Sequence, residues 1–415
     1  MPIPVVSPRS PVTATAAQSI AVTARLGPVP IVRDRMLAHT ATTVATRRAD
    51  PALAIVLLCD RLRRRHAEAP VWLRFAGRPH LLLIHRDDVR AAVDGRPAGF
   101  TSETPISHSR RRTVEADRRP DRSWRHRFDT AARVAATDPR TGLAAIAHTT
   151  ALLSHGDRIT LAAWRTLHRR VLRHVLLGAG AAGDDTLPTA GADRILDRVA
   201  GADAEPVPAL LEVSTRTAVP LVRTITRLAD ILAANSFRTL QLLSVRPPVC
   251  PGPMYAAACL RETARLWPTD LTLVRETRRE TWWGSAIVPA GTRLMVVNQF
   301  GHRDRRRLAH ADEYMPGEWL YGGHAVREPL FNGFGHRRGP DPVQDLALAC
   351  GAVVLSTVTE ASILLPTAGA LYPDGRVRHS PPPSPVVRLR PRGPARPVLP
   401  RIPVSQRRAL PLASP

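Results

Sequence analysis

The stretch that decides the fold of this chain is Tyr255-Ala-Ala-Ala-Cys-Leu-Arg-Glu-Thr-Ala-Arg-Leu266, which Trp267-Pro268 follows. It predicts a helix that ends before the proline, because the residue preceding a proline disfavours the helical conformation. Glu262 and Arg265 are three positions apart, so they share a helix face and can form an ion pair. Such a pair occurs by chance in many helices, and an exposed pair on the helix surface is the alternative.

A series of short segments follows this helix in order. The segments are Val274-Arg-Glu-Thr277, Val288-Pro-Ala-Gly-Thr292, Asn298-Gln-Phe-Gly-His-Arg-Asp304, Ala311-Asp-Glu-Tyr-Met-Pro-Gly-Glu-Trp-Leu320, Phe334-Gly-His336 and Pro342-Val-Gln-Asp-Leu-Ala-Leu348. Their order and spacing resemble the C-terminal half of the cytochromes P450, from the ExxR helix through the meander and haem loop to the next helix. The resemblance covers residues 255–355 and extends more thinly to residues 71–84, the helix after His85 and residues 124–128.

The resemblance implies a P450-like fold, mainly α with a small mixed β-sheet. Residues 71–84 predict two short strands joined at Gly77-Arg78. Helical patterns follow at residues 124–134, 161–177, 221–243 and 345–355. The segment between Leu177 and Leu221 is short for the helices that roof the family's substrate pocket. We therefore expect a fold shortened between its central helices.

The resemblance also implies haem b as a cofactor. Arg275 stands where the family places an arginine for a haem propionate, a task that suits the fork of a guanidinium. Trp124 and Arg127 are candidates for a second propionate contact. Phe334 and His336 fall at the start of the haem loop.

The haem loop departs from the family pattern at the iron ligand. Asp341 stands at the position of the axial cysteine, and Arg337, Gly339 and Val343 replace three further loop residues. A thiolate donates electron density to iron and favours O–O cleavage, which a carboxylate does much less. Cys350 lies too far along the following helix to take over, so we interpret it as a small buried residue.

The family's oxygen-activating helix is altered as well. Its motif falls on Leu232-Ala-Ala-Asn-Ser236. The resemblance gives Ser236 and Asn235 the catalytic positions, but an amide cannot shuttle protons as a carboxylate can. Glu262 and Arg265 take the family's structural role, locking the meander, although Glu318 stands where many relatives carry an arginine.

Several functions remain open. One is a haem- and iron-dependent monooxygenase, an oxidoreductase of secondary metabolism that acts on a small hydrophobic metabolite with a ferredoxin-type electron donor. A haem protein with a non-thiolate ligand is another. A third is a non-catalytic helper that binds a partner enzyme, as cysteine-less relatives do with glycosyltransferases. The fourth is an inactive remnant with a degenerate active site.

The composition indicates which partners and which cellular compartment to expect. The net charge is +24 and all 59 basic residues are arginines, which indicates a compositional bias more than a nucleic-acid surface, and no nucleic-acid motif accompanies the charge. The four cysteines are too scattered for a disulfide framework or a zinc site. The apolar runs are too short for a membrane span and no signal peptide is visible, so we expect a cytoplasmic protein.

The same composition divides the chain into three parts. Residues 1–30, rich in Pro, Ser, Thr and Ala, predict a disordered segment. Residues 31–370 predict a single P450-like domain. Residues 371–415 predict a disordered tail rich in Pro and Arg, because no acidic residue follows Asp374 and no regular apolar pattern is visible.

Overall fold

The structure is a computed structural model that describes residues 9–26, 50–75, 78–94, 122–200, 215–248, 252–268, 271–322 and 342–392. Its helices are α1 (Ala16–Leu26), α2 (Pro51–Arg65), α3 (Arg86–Asp94), α4 (Arg122–Thr137), α5 (Pro139–Leu153), α6 (Leu161–Leu177), α7 (Ala179–Ala182), α8 (Ala192–Ala200), α9 (Thr215–Leu243), α10 (Pro253–Leu266), α11 (Asn298–His302), α12 (Gly317–Leu320) and α13 (Pro342–Ala361), with a 3-10 turn at Leu187–Thr189. Its strands are β1 (Val12–Thr13), β2 (Val71–Phe75), β3 (Arg78–Leu83), β4 (Arg158–Thr160), β5 (Thr272–Glu276), β6 (Thr281–Trp283), β7 (Ala286–Val288), β8 (Arg293–Val297), β9 (Ser362–Leu364) and β10 (Val386–Pro391).

The largest sheet is mixed and has the strand order β1-β2-β3-β8-β5. Strands β2 and β3 form an antiparallel pair with Val71 opposite Leu82, which confirms the two strands predicted within residues 71–84. Strand β8 pairs parallel with β3 and antiparallel with β5. Strands β6 and β7 form an antiparallel hairpin, in which Gly284 turns the chain with a φ of +61°.

The helices form a bundle around α13, which packs against α4, α5, α9 and α10. Gly351 lets these helices approach closely. A Cβ at this position would lie 2.8 Å from Leu232 Cδ1 on α9 and 2.9 Å from Leu260 Cδ1 on α10. By length and composition α13 could cross a membrane. About two-thirds of its most apolar 18-residue stretch is buried inside the protein, however, as expected for a core helix.

This architecture, mainly α with a small mixed sheet, confirms the predicted fold class. The segment between α6 and α9 is short, as predicted: its described residues form α7, a 3-10 turn and α8, and residues 201–214 lie outside the described ranges. Helix α10 begins soon after α9 ends.

Both terminal segments are folded further than the sequence predicts. In the segment 1–30, β1 pairs with β2 and Val22 of α1 is buried in the core beside the sheet. Ser10 contacts the β6–β7 hairpin, where its hydroxyl lies 2.8 Å from that of Ser285. The prediction of disorder was wrong for residues 9–26, because β1 pairs with a strand nearly 60 residues away, which composition does not reveal.

The same correction applies to the segment 371–415 as far as residue 392. Strand β10 pairs with β4 on one side and β9 on the other. Val377 and Val387 are fully buried. The alternation of buried and exposed residues in β10 is short, and its exposed positions are arginines, so it does not stand out from the Arg-rich composition around it. Residues 393–415 lie outside the described ranges.

Candidate functional site

The pair of Glu262 and Arg265 lies inside the protein, with exposed side-chain fractions of 1% and 3%. Arg265 donates from Nε to Glu262 Oε2 over 2.8 Å and from Nη2 to Oε1 over 2.7 Å. Its guanidinium also donates to the backbone carbonyls of His302, Ala311 and Glu313 at 2.8–3.0 Å. Helix α10 is thereby fastened to the segment between α11 and α12. The exposed surface pair considered as the alternative is therefore excluded.

Glu262 has two further donors. The backbone N–H of Met315 donates to Oε1 over 2.9 Å, and the indole Nε1–H of Trp319 donates to Oε2 over 3.0 Å. Burial raises the pKa of Glu262, but the charge of Arg265 and these hydrogen bonds outweigh it, so the pKa lies below its usual value. Trp319 is therefore the third side chain of this buried cluster.

Buried ion pairs are stable only when such bonds satisfy both charges, since desolvating each ion costs several kcal/mol. Here both carboxylate oxygens and all three guanidinium nitrogens have partners. The structure therefore gives this pair a structural role. The quoted segment at residues 311–320 contained Trp319, but nothing in its spacing marked the indole as a partner of Glu262.

The candidate haem contacts are only partly described. Arg275 lies in β5 opposite Leu294 of β8, and it is buried. Arg127 lies on α4 and is exposed, and Trp124 belongs to the same helix. Phe334, His336 and Asp341 lie outside the described residues. The roles of all of these residues toward haem stay predictions.

Ser236 and Asn235 are fully buried in α9. Ser236 Oγ accepts from Trp164 Nε1 over 2.8 Å and lies 2.8 Å from His168 Nε2, and both partners are on α6. It also lies 2.7 Å from the carbonyl oxygen of Leu232, one turn earlier. Asn235 Nδ2 donates to the carbonyl of Leu260 on α10 over 3.1 Å.

These contacts decide what Ser236 can do. A hydroxyl has one proton and two acceptor sites, and the indole, the imidazole and two backbone carbonyls of α9 surround that of Ser236. Burial lowers the pKa of His168 to about 3, so the imidazole is neutral at neutral pH. The Ser236 hydroxyl is thus occupied in the α6–α9 interface. Trp164 and His168 were not singled out in the sequence, because their spacing on α6 is that of any buried helix face.

A thiolate ligand is also missing from the described residues. Burial raises the pKa of Cys59, Cys259 and Cys350 to about 12, so each is a neutral thiol at neutral pH. Thiols of this kind are inert packing residues. Cys350 is buried within α13, as interpreted from the sequence. The described cysteines therefore do not fit the thiolate-bound haem that the family resemblance implies.

Comparison with known proteins supports the fold. No model of a known protein family matches the chain. Cytochrome P450 714C3 of Oryza sativa subsp. japonica is 34% identical over 125 residues, which cover 29% of this chain and 23% of that protein. Cytochrome P450 27C1 of Aquarana catesbeiana is 32% identical over 74 residues, which cover 18% of this chain and 14% of that protein. Both matches therefore span less than a quarter of the relative's length.

Several solved cytochromes P450 have a similar fold. A variant of cytochrome P450 OleT in complex with arachidonic acid has a TM-score of 0.58 at 12% identity, covering 84% of this chain and 98% of that one. The retinoic acid-bound cyanobacterial CYP120A1 has a TM-score of 0.59 at 10% identity, covering 80% and 93%. CYP175A1 of Thermus thermophilus has a TM-score of 0.57 at 19% identity, covering 92% and 100%. These matches show that the chain has the cytochrome P450 fold and that part of its sequence is similar to cytochromes P450.

Proposed function

We propose that this chain is a P450-fold protein that does not carry out thiolate-haem monooxygenation and acts in the cytoplasm by binding a partner enzyme of secondary metabolism. The observation that carries the proposal is a contrast within the fold. In the Glu262–Arg265 pair, which supports the architecture, both carboxylate oxygens and all three guanidinium nitrogens have hydrogen-bond partners. Ser236 and Asn235, at the family's oxygen-activating positions, are used for helix packing.

The chemistry of the iron ligand supports the same view. With a carboxylate at position 341, haem bound in this fold would lack the electron donation that promotes O–O cleavage. The short segment between α6 and α9 also leaves little chain to cover a hydrophobic metabolite. A ferredoxin-type electron donor would then have no oxygen chemistry to serve.

The preserved core argues against the remnant alternative. The apolar core of the bundle is continuous through α4, α6, α9, α10 and α13. A chain free of selection would gain destabilising core substitutions, since most single changes in a core cost about 0.5–3 kcal/mol. A binding protein needs the fold without the catalytic residues.

The experiment is a reconstitution with two assays. The purified chain is added in equimolar amount to the glycosyltransferase of the same biosynthetic pathway, and the turnover of that enzyme is measured against addition of the heat-denatured chain. We expect turnover to rise only with the folded chain. In the second assay the chain receives ferredoxin, its reductase, NADPH and oxygen. A hydroxylated metabolite formed there by the chain alone would contradict the proposal.

A further inference from the structure

A pocket of about 390 Å³ lies between α2, the segment after α11 and the turn that precedes His379. Leu53 lines it from α2, Arg305 from the segment after α11, and Tyr372 and Arg376 from the turn. Its volume is in the lower part of the range for small-molecule pockets. Of the candidate haem contacts that the structure describes, none lines it.

Two ion pairs form the polar part of this pocket. Arg305 donates from Nε to Asp312 Oδ2 over 2.6 Å, and its Nη2 lies 2.6 Å from the same oxygen. Arg376 donates from Nε to Asp374 Oδ2 over 2.6 Å, and its Nη2 lies 2.5 Å from that oxygen. Within the contacts of the described residues, the Nη1 groups of both arginines have no partner. Because a guanidinium has five N–H donors, each arginine can still bind an acceptor.

The two carboxylates differ in access. Asp312 is 6% exposed and is surrounded by Arg305, by Arg303 at 3.6 Å and by His379 at 3.6 Å. Asp374 is 48% exposed, and within the described part of the chain its oxygens accept from the side chain and backbone N–H of Arg376. A carboxylate has about four acceptor positions, so Asp374 can take further donors.

An apolar wall completes the pocket. It consists of Leu53, Pro373 and the ring of Tyr372. The Tyr372 hydroxyl donates to Asp50 Oδ2 over 2.8 Å, and Arg378 lies 5.0 Å from the ring centroid. These contacts fix the ring before any ligand arrives, which reduces the entropy lost on binding.

The charges of the lining are balanced, with two guanidinium groups against two carboxylates and no charge on His379, whose pKa burial lowers to about 4. Such a lining favours a ligand with both charges over a simple anion or cation. We propose that this pocket binds a small zwitterion with an apolar body, of the class of an α-amino acid with an aliphatic or aromatic side chain. The ligand carboxylate accepts from Nη1 of Arg305 and Arg376, the ammonium donates to Asp374, and the side chain lies against Leu53 and Tyr372.

The test is isothermal titration calorimetry of the full chain with L-phenylalanine and L-leucine. The comparison ligands are 3-phenylpropionate, which lacks the ammonium, and phenethylamine, which lacks the carboxylate. We expect L-phenylalanine to bind at least about ten-fold more tightly than either comparison ligand, since each removed charge leaves a charge-assisted hydrogen bond unmade. Equal binding of the three aromatic ligands, or no saturable binding of either amino acid at millimolar concentrations, would overturn the proposal.

A variant locates the site. Asp374→Asn removes the charge that receives the ammonium, and its exposed position leaves the core intact. Asp193→Asn, an exposed aspartate on α8 that does not line the pocket, is the matched control. We expect about ten-fold weaker amino acid binding for the first variant and unchanged binding for the second, with equal melting temperatures. The same affinity in both variants would contradict the assignment of this pocket. The result is independent of the proposed function, because neither haem nor a partner enzyme takes part.

Discussion

At the scale of single residues, Glu262 connects α10 to the segment that contains Met315 and Trp319. A guanidinium, a backbone N–H and an indole N–H all donate to its carboxylate. Because water hardly reaches this group, any donor that is removed is not replaced by solvent. The effect of a substitution here should therefore depend on which donor is lost.

The first prediction concerns the indole. Trp319→Phe removes the N–H donor to Glu262 but keeps most of the ring volume. We expect the free energy of unfolding to fall by about 1.5–3 kcal/mol, the usual loss for a hydrogen bond to a charged group. Urea denaturation measures it. Trp72→Phe, at a partly buried indole with no described hydrogen bond, is the control and should cost clearly less.

The second prediction concerns pH. The folded state lowers the pKa of Glu262 below the ordinary value of 4.5, so its ionised form stabilises the fold above that pH. This contribution is lost as the pH falls through the lowered value. Glu262→Gln leaves Arg265 buried without its counter-charge, which costs about 3–5 kcal/mol at pH 7.

The gap in unfolding free energy between the wild-type protein and this variant should shrink as the pH falls below about 4.5, where the carboxylate protonates in the unfolded chain. Urea denaturation at a series of pH values from 7 to 3 checks this. A gap that does not change with pH would mean that the charge of Glu262 contributes nothing to stability.

At the scale of elements, Ser236, which the family resemblance assigned to catalysis, forms hydrogen bonds in the α6–α9 interface. Ser236 connects the two helices through Trp164 and His168. Ser236→Ala should leave the Trp164 indole N–H without a partner and cost about 1–3 kcal/mol of stability. The control is Ser356→Ala on α13, where the buried hydroxyl bonds only to its own helix, at Val353.

Thermal and urea denaturation of the two variants give the comparison. We expect Ser236→Ala to be clearly less stable than Ser356→Ala. Equal stabilities would show that the α6–α9 hydrogen bonds contribute little and would reopen a role for this hydroxyl outside the interface.

The sequence predicts many of the helices and strands, but fewer of the contacts at the candidate site. Helix α6 has the predicted bounds, and α10 and the β2–β3 pair follow from local patterns, because helix breakers and strand-forming residues act on their own neighbours. The neighbours of Ser236 could not be predicted, since α9 is apolar on several faces and its sequence does not say which face meets α6. Trp319 was missed because its partner lies more than 50 residues earlier.

At the scale of the whole molecule, Asp50 joins the two ends of the domain. Its Oδ1 caps α2 by accepting from the Leu53 N–H over 3.1 Å. The same carboxylate accepts from the Tyr372 hydroxyl, from the His379 N–H and from Ser380. Contacts between residues more than 300 positions apart leave no mark in local composition, and for this reason the segment after residue 371 was predicted to be a tail.

The last stability prediction follows from this link. Asp50→Ala should lose more than a helix cap, at least about 2 kcal/mol, because several hydrogen bonds to a charged group vanish together. Asp138→Ala is the matched control, since Asp138 also caps a helix, α5, before a proline, and among the described residues its side chain bonds to the neighbouring Arg140 alone. It should cost about 1 kcal/mol.

Denaturation curves measure both losses, and limited proteolysis reports cleavage near residue 380. Cleavage there should increase in Asp50→Ala alone. The same sensitivity in both variants would contradict the proposed connection between α2 and the C-terminal segment.

The most direct test of the central claim is the absorption spectrum of the wild-type protein, expressed with added haem precursor, reduced with dithionite and exposed to carbon monoxide. The central claim is that the P450 fold is retained while the thiolate chemistry is lost. We predict a folded protein whose spectrum lacks the red-shifted Soret band of a thiolate-bound carbonyl complex, with or without bound haem. A strong red-shifted band would mean that a cysteine reaches the iron, and would contradict the account.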